Sequence, residues 1–301
     1  MKLALKIDVD TLRGTREGVP AIVEVLRRHD AGATFFFTVG PDLTGRALRR
    51  LLRPGVASHY GLRALLYGTL LPAPDVGRRG ADVMRRVRDA GFETGVRAWA
   101  PVRWQDRAAS ECAAWIEAEM QRAADRYAEI FGEPPRVHAA AGWQMSAHAL
   151  RMTQRLGFDY ASDSRGTHPF LPVWRGELIR CPQFPTTLPL VTELLERDGV
   201  TPDNVAAHLL ERTAELAATD HVFTLRAEFA GGRLATVLEQ LVVGWKAQGY
   251  ALVPMRALRD AVEPLALPRC EVLQGALPDG RGTALTQGPE FLADADLPRA
   301  A

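Results

Sequence analysis

No run of about 18 apolar residues occurs in the 301-residue chain, so no segment is expected to span a membrane. Cysteine is scarce. Cys112, Cys181 and Cys270 are odd in number and far apart, which argues against a disulfide framework and suits a reducing compartment. Neither sign of charge dominates: 37 Lys and Arg against 36 Asp and Glu leave +1, so no global field draws nucleic acid, and nucleic-acid motifs are absent. No G-x-G-x-x-G or Walker pattern follows a strand, and neither "GTREG" (14–18) nor Gly40-Pro41-Asp42 is a phosphate loop. "HAAAGWQMS" lacks the spacing of a serine-hydrolase elbow. The opening "MKLALKIDVD" meets charge before any signal-peptide core forms, and no internal repeat is visible. These absences lead to the expectation of a cytoplasmic protein, with peripheral contact at the inner membrane as an added option.

What is present alternates between strand and helix. "LALKIDV" (3–9) is a short apolar run ending in acids, the pattern of a buried strand. Residues 16–30 follow with Val19, Ile22, Val23 and Leu26 at helical spacing, then "GATFFFTVG" (32–40) reads as a second buried strand. Strand, helix, strand implies a right-handed parallel crossover. The alternation continues with a helix at 80–91, a strand at 92–99 and a long amphipathic helix at 110–132. "RVHAAAGW" (136–143) and "FDYASDSRG" (158–166) read as strands around a helix at 146–157. Residues 220–229, 234–249 and 250–258 read as strand, helix and strand. The fold class is therefore α/β, an α/β barrel or a closely related parallel fold. After about residue 263 the composition turns to Pro, Gly and Ala. Residues 1–262 are taken as the domain and 263–301 as an appendage, either a hairpin turning at Asp279-Gly280 or a loosely attached tail.

In such barrels functional residues gather where strands end. The strand ends here carry Asp8 and Asp10, Arg97, Trp143, Asp163, and Arg226 with Glu228. Asp8 and Asp10 are two apart, so on a strand both face one way. Two close carboxylates repel, and one keeps its proton unless a cation lies nearby. The plainer reading of either Asp is a strand end or a helix cap.

"KIDVDTLRGTREGVP" (6–20), "TFFFTVGPD" (34–42), "AAAGWQ" (139–144), "YASDSRG" (160–166) and "FTLRAE" (223–228) resemble, in order and approximate spacing, the 4-deoxy-4-formamido-L-arabinose-phosphoundecaprenol deformylases. More widely they resemble the polysaccharide deacetylases with a NodB-homology domain, carbohydrate esterase family 4. The likeness covers about residues 1–260 and implies a distorted (β/α) barrel that removes formyl or acetyl groups from amino sugars. It also implies a general base at Asp8, a metal ligand at Asp10, a site-lining Trp143 and, at Asp163, an acid that orients the catalytic acid. The family's two further ligands form a His-x-x-x-His pair, which falls on Arg97 and Pro101, and its catalytic His falls on Arg226. The acid that commonly precedes the second ligand His becomes Ala100.

Those replacements shape the functional expectation. A hydrolytic metal centre takes roughly three protein ligands and an open position. Proline offers no donor, and arginine stays cationic and repels a dication. A guanidinium delivers no proton near neutral pH. From this follows an expectation of no cofactor, where the family uses a divalent metal such as zinc or cobalt. Arg97 and Arg226 are expected either to turn inward and neutralise Asp8, Asp10 and Asp163, or to turn to solvent in a decayed mouth. Trp143, Arg97 and Glu228 are the expected ligand contacts. His138, His148 and His168 are considered as replacement ligands, His168 foremost for its closeness to Asp163. Arg46, Arg49, Arg50 and Arg53 among Leu48, Leu51 and Leu52, with Leu62, Leu65, Leu66, Leu70 and Leu71 beyond, suit either a lipid surface across 46–71 or a solvated basic helix face. Together these features lead to the expectation of a deformylase/deacetylase homologue with a degenerate metal site that binds a lipid-linked or polymeric amino sugar or regulates an active relative. The alternatives are an active deformylase and a purely structural partner protein.

Overall fold

The computed structural model describes residues 1–47, 60–215, 219–229, 235–276 and 282–292. At its centre is a parallel sheet in the order β5-β4-β3-β2-β1-β8. Its strands are β1 (Lys2–Val9), β2 (Thr34–Thr38), β3 (Glu93–Ala98), β4 (Val137–His138), β5 (Tyr160–Ala161) and β8 (His221–Arg226). A further strand, β9 (Ala251–Val253), pairs with the start of β1. The gap between β5 and β8 is spanned by irregular chain: Phe184 N donates to Ala161 O at 2.8 Å, and Thr187 N to Val222 O at 3.1 Å. With helices packed around it, this half-barrel sheet has the fold of a NodB-type (β/α) barrel.

The local sequence explains where the elements start and stop. The aromatic run "TFFFT" is buried throughout as β2. Helix α1 is Val19–Arg28, and α2 (Val76–Asp89) is capped by Asp75, whose side chain accepts from Arg78 N at 2.8 Å. A short α3 (Pro101–Arg107) follows β3 directly. The long α4 (Ala113–Phe131) ends at Gly132, whose φ of 79° few other residues adopt. Helix α5 is Ala147–Arg155, followed by the short α6 (Val191–Leu194), then α7 (Val205–Glu215), α8 (Ala235–Ala247) and the short α9 (Arg256–Arg259). Among the described residues no helix is long and apolar enough to cross a membrane.

Three expected strands are shorter than their sequence suggests. The run 136–143 keeps only two strand residues because Gly142 and Trp143 turn left-handed, at φ 64° and 53°. The run 158–166 pairs only at Tyr160 and Ala161 before entering the polar loop. The run 250–258 stops at Val253 because Pro254 has no N–H for the ladder, and the chain turns into α9.

A second sheet lies beside the barrel in the order β11-β10-β6-β7, from β6 (Leu171–Trp174), β7 (Glu177–Leu178), β10 (Arg269–Ala276) and β11 (Thr283–Glu290). β10 and β11 pair antiparallel; the turn expected at Asp279-Gly280 lies outside the described residues.

"GTREG" finds its explanation in packing. Residues 14–18 form a π-helical turn pressed against the end of β8. A Cβ on Gly18 would lie 2.0 Å from the Ala227 carbonyl oxygen, and one on Gly14 would lie 2.2 Å from Glu228 Oε1. Gly18→Ala is therefore expected to destabilise by about 1–3 kcal/mol, the cost of forcing packed backbones apart. Chemical denaturation checks it, and an unchanged midpoint would show that the two segments separate freely.

Candidate functional site

The C-terminal ends of the parallel strands bring most of the expected residues together. On β1, alternation turns Lys6 and Asp8 into the barrel, and the register sets Asp8 abreast of Phe36 on one side and Arg226 on the other. On β3, Arg97 is one residue too many: Phe37 pairs with Val96, and Thr38 with Ala98. Such an extra residue bends the strand end and re-aims its side chain.

Arg97 is 1% exposed and lies between the two acids of β1. Its Nη1 is 2.9 Å from Asp8 Oδ2, and its Nε donates to Asp10 Oδ1. Burial works against charge on Asp10, but Arg97 and then Arg226 outweigh it and hold the carboxyl below its usual range. Burial also opposes the charge on Arg226, while Tyr60, Asp10, Asp8 and Glu228 keep it protonated. Facing Arg226, the Tyr60 hydroxyl is pushed up to about 12, chiefly by burial.

Beneath Asp8 sits a cation the sequence reading passed over. Lys6 is fully buried, donates to Ser162 O at 2.9 Å and stands 3.8 Å from Asp8 Oδ1. Burial pulls its amine down to about 8 against the attraction of Asp8. Its signal was available: a lysine two residues before Asp8 in an apolar strand shares that face. Asp42 was also missed. Its carboxylate takes Leu12 N at 3.0 Å and Thr44 N at 3.1 Å, pinning the loop after β1 to the loop after β2.

Glu228 acts on the same loop. Its Oε1 accepts from Asp10 N at 3.0 Å and from Thr11 N and Oγ1, each at 2.9 Å, whereas Oε2 is buried without a partner. Burial, then the nearby Asp10, push this carboxyl up to about 7. Between the ordinary value of 4.5 and about 7, the folded chain holds a proton that the unfolded chain releases. The resulting stability is complete below that window, declines through it and is absent above it. Glu228→Gln keeps an acceptor for the three bonds and cannot ionise. Its melting temperature relative to the parent should rise between pH 5 and pH 8; a difference independent of pH would show that Glu228 is ionised throughout.

Asp163 is occupied differently from the expectation. Its Oδ1 lies 2.7 Å from both His138 Nδ1 and Ala140 N, and Gln183 Nε2 donates to Oδ2 at 3.3 Å. His138 in turn stacks on Phe158, at 5.4 Å between centroids. Asp163 thus orients His138 between Phe158 and Trp104, and Arg97 is linked to it through Ala140, whose carbonyl lies 3.4 Å from Nη1. His168 is exposed beside Thr167 and Gln287, away from the acids. Trp143 is 4% exposed, bulky in a left-handed conformation, and lies under Arg165 at 5.0 Å. β11 holds that wall: Arg165 N donates to Leu285 O at 2.9 Å and Gln287 N to Arg165 O at 2.8 Å. Trp143, Arg97 and Glu228 are all buried, while Arg226 is half-buried at the mouth.

The sequence pattern of the polysaccharide deacetylases matches residues 3–161. A protein of Shewanella sediminis assigned as a 4-deoxy-4-formamido-L-arabinose-phosphoundecaprenol deformylase is 38% identical over 291 residues, 93% of this chain and 92% of that protein. The chain belongs to the polysaccharide deacetylase family. The crystal structure of a Mycobacterium smegmatis protein assigned to the polysaccharide deacetylases shares its fold at a TM-score of 0.63, with 16% identity over 92% of this chain and 95% of that one. A wild-type CE4 family pseudoenzyme from Bacillus anthracis does so at 0.53, with 15% identity over 86% of this chain and 65% of that one.

Membership corrects one expectation. Polysaccharide deacetylases are metal-dependent, so the absence of a cofactor cannot be the starting point for this member. The side chains of Asp10, Arg97 and Pro101, on which the resemblance places metal ligands, nevertheless do not fit a dication. Asp10 is taken by Arg97, Pro101 carries no donor, and the guanidiniums of Arg97 and Arg226 set positive charge where a cation would stand. No group of three His, Cys, Asp or Glu side chains able to hold a metal occurs among the described residues.

Proposed function

We propose that the mouth of this deacetylase-family barrel binds an amino sugar, lipid-linked or within a polymer, and leaves its N-acyl bond intact. The observation that supports this reading is Arg97, buried between Asp8 and Asp10. Asp8, in the position of the general base, is thereby held in an ion pair. Arg226, in the position of the catalytic acid, cannot release a proton to a leaving amine near neutral pH. What remains for recognition is the half-buried Arg226, backed by the buried Tyr60, with the half-buried Arg165 over Trp143 in the wall.

A lipid-borne ligand is supported by the name of the Shewanella sediminis relative and by the surface beside the mouth. Two residues beyond Tyr60, Leu62 is 86% exposed, and Leu70 is 81% exposed. Exposed leucines with Arg46 and Arg63 nearby suit contact with an anionic bilayer carrying a polyprenyl phosphate. Residues 48–59, which include Arg49, Arg50 and Arg53 of the expected basic segment, lie outside the described residues.

A second reading is an active deformylase. The 38% identity to an assigned deformylase favours it, as does Glu228, a carboxyl near neutrality beside Asp10 and suited to proton transfer. Calorimetric titration of the full chain with an N-formyl amino sugar on a short polyprenyl phosphate, paired with a formate assay with and without cobalt, separates the two. Saturable binding without formate release is the expected result. Formate release at an enzymatic rate overturns it in favour of the second reading, and absence of both binding and release overturns both.

A further inference from the structure

The segment beyond residue 262 reads in sequence as an appendage, yet one side chain of β11 grips the loop that carries Arg165. Gln287 is half-buried. Its Oε1 accepts from Thr167 N at 2.8 Å and lies 3.4 Å from His168 N. Gly166 makes room for it: a Cβ there would lie 2.5 Å from Gln287 Oε1 and 2.9 Å from Gln287 Cβ. Beside these bonds the backbone of β11 pairs with Arg165. The Arg165 guanidinium is held by Glu193 at 2.9 and 3.2 Å and lies over Trp143, which packs in turn with Ala284 of β11 and Leu190.

A backbone N–H fixes which end of the Gln287 amide faces the loop. Only an oxygen accepts from Thr167 N, so Nε2 is the atom that stands 2.8 Å from His168 Nε2. An amide nitrogen donates and does not accept. His168 Nε2 therefore carries no proton in this arrangement, and Nδ1 carries the single proton of the neutral ring. That proton points at Thr167 Oγ1, 2.9 Å away, and the Thr167 hydroxyl donates to Gln287 Oε1 at 3.3 Å. The three side chains close a ring. Thr167 and His168 are exposed, so water competes for these bonds and they add little to stability. The hairpin is already fastened by backbone pairing to β6 and to Arg165. What the ring adds is a fixed direction for the loop.

We propose that Gln287 is a positioning residue of the mouth: it sets the loop 165–168, and with it the direction from which Arg165 meets a bound sugar, so that the C-terminal hairpin is a working part of the binding site. This role rests on the reading of the mouth as a binding site, and two measurements keep the two apart. The first needs no ligand. Long-range proton–nitrogen NMR of the free full chain at pH 8, above the range in which imidazoles usually charge, should find the His168 proton on Nδ1. Gln287→Glu still accepts from Thr167 N but offers His168 an oxygen in place of a donor, so the proton should move to Nε2. A His168 that averages both tautomers in the parent, or that does not respond to Gln287→Glu, overturns the ring. The second measurement is calorimetric titration with the N-formyl amino sugar on a short polyprenyl phosphate. Gln287→Leu, which leaves the backbone pairing of β11 in place, should weaken binding by about fivefold or more, and Gln287→Glu should stay within about twofold of the parent. Parental affinity in Gln287→Leu overturns the positioning role alone. A parent that binds no sugar overturns the reading of the mouth, and the role with it.

Discussion

Replacing Arg97 by methionine is expected to cost about 3 kcal/mol of folding stability, the lower end of the range for breaking a buried ion pair. The guanidinium is 1% exposed and serves two carboxylates at once, so its loss leaves both without their nearest charge. Lys6, 3.8 Å from Asp8, and Arg226 remain as partial compensation, which is why the upper end of the range is not expected. The pH dependence should change sign as well. In the parent, Asp10 is held below its usual range, so its contribution is present above the ordinary carboxylate value and is lost as pH falls through the folded one. In Arg97→Met one buried carboxylate is driven to keep its proton, so that variant gains stability on acidification and loses it as pH rises. Urea denaturation at pH 5 and pH 8 reads both effects. Adding Asp8→Asn and Asp10→Asn to Arg97→Met should return only part of the loss, because it removes the two unpaired carboxylates but leaves the buried Lys6 and Arg226 without their acids. A loss below about 1 kcal/mol, with unchanged pH dependence, would mean that the triad opens to water and carries little energy.

How much of this was legible beforehand differs from residue to residue, and for physical reasons. β1 and β2 announce themselves because buried parallel strands are unbroken apolar runs, and the acids closing β1 mark the mouth. The motif likeness identified the family, since "DVDTLRGTREGVP" encodes a π-helical turn whose glycines meet the end of β8 almost without clearance. That motif does not reveal which partners the acids choose. Asp163 goes to His138 and Gln183 because β4 and β5 end side by side, a contact that depends on register. Lys6 was readable by alternation from Asp8, but a lysine in an apolar run passes for a strand-edge residue until the barrel closes over it. Nor is the bulge at Arg97 visible locally, since it arises from pairing with a strand almost 60 residues away, as the match of Thr34 to Glu93 shows. The basic stretch 49–53 lies outside the described residues, so only the leucines beyond it enter the picture.

Rebuilding the imidazoles should produce the largest functional change. Arg97→His, Ala100→Asp, Pro101→His and Arg226→His, made together, are expected to raise affinity for cobalt or zinc at least a hundredfold over the parent. Two effects act in the same direction. The substitutions remove two guanidiniums from the space around Asp10, and they supply neutral nitrogen donors at 97 and 101 that, with Asp10, would give three protein ligands and an open place. The backbone is suited to the change. Ala100 is extended, at φ −139° and ψ 103°, and precedes α3 without capping it with its side chain, so an Asp there also satisfies a free helix N–H. Pro101 occupies the first turn of α3, where a His restores an N–H without breaking any bond of the helix. At a metal concentration of 100 times the dissociation constant, linkage stabilises the fold by about 2.7 kcal/mol. The melting temperature of the quadruple variant should therefore climb with added cobalt well beyond that of the parent, and formate release from an N-formyl amino sugar should appear or increase alongside it. If added cobalt shifts the variant no further than the parent, charge at Arg97 and Arg226 is not what separates this mouth from a metal centre.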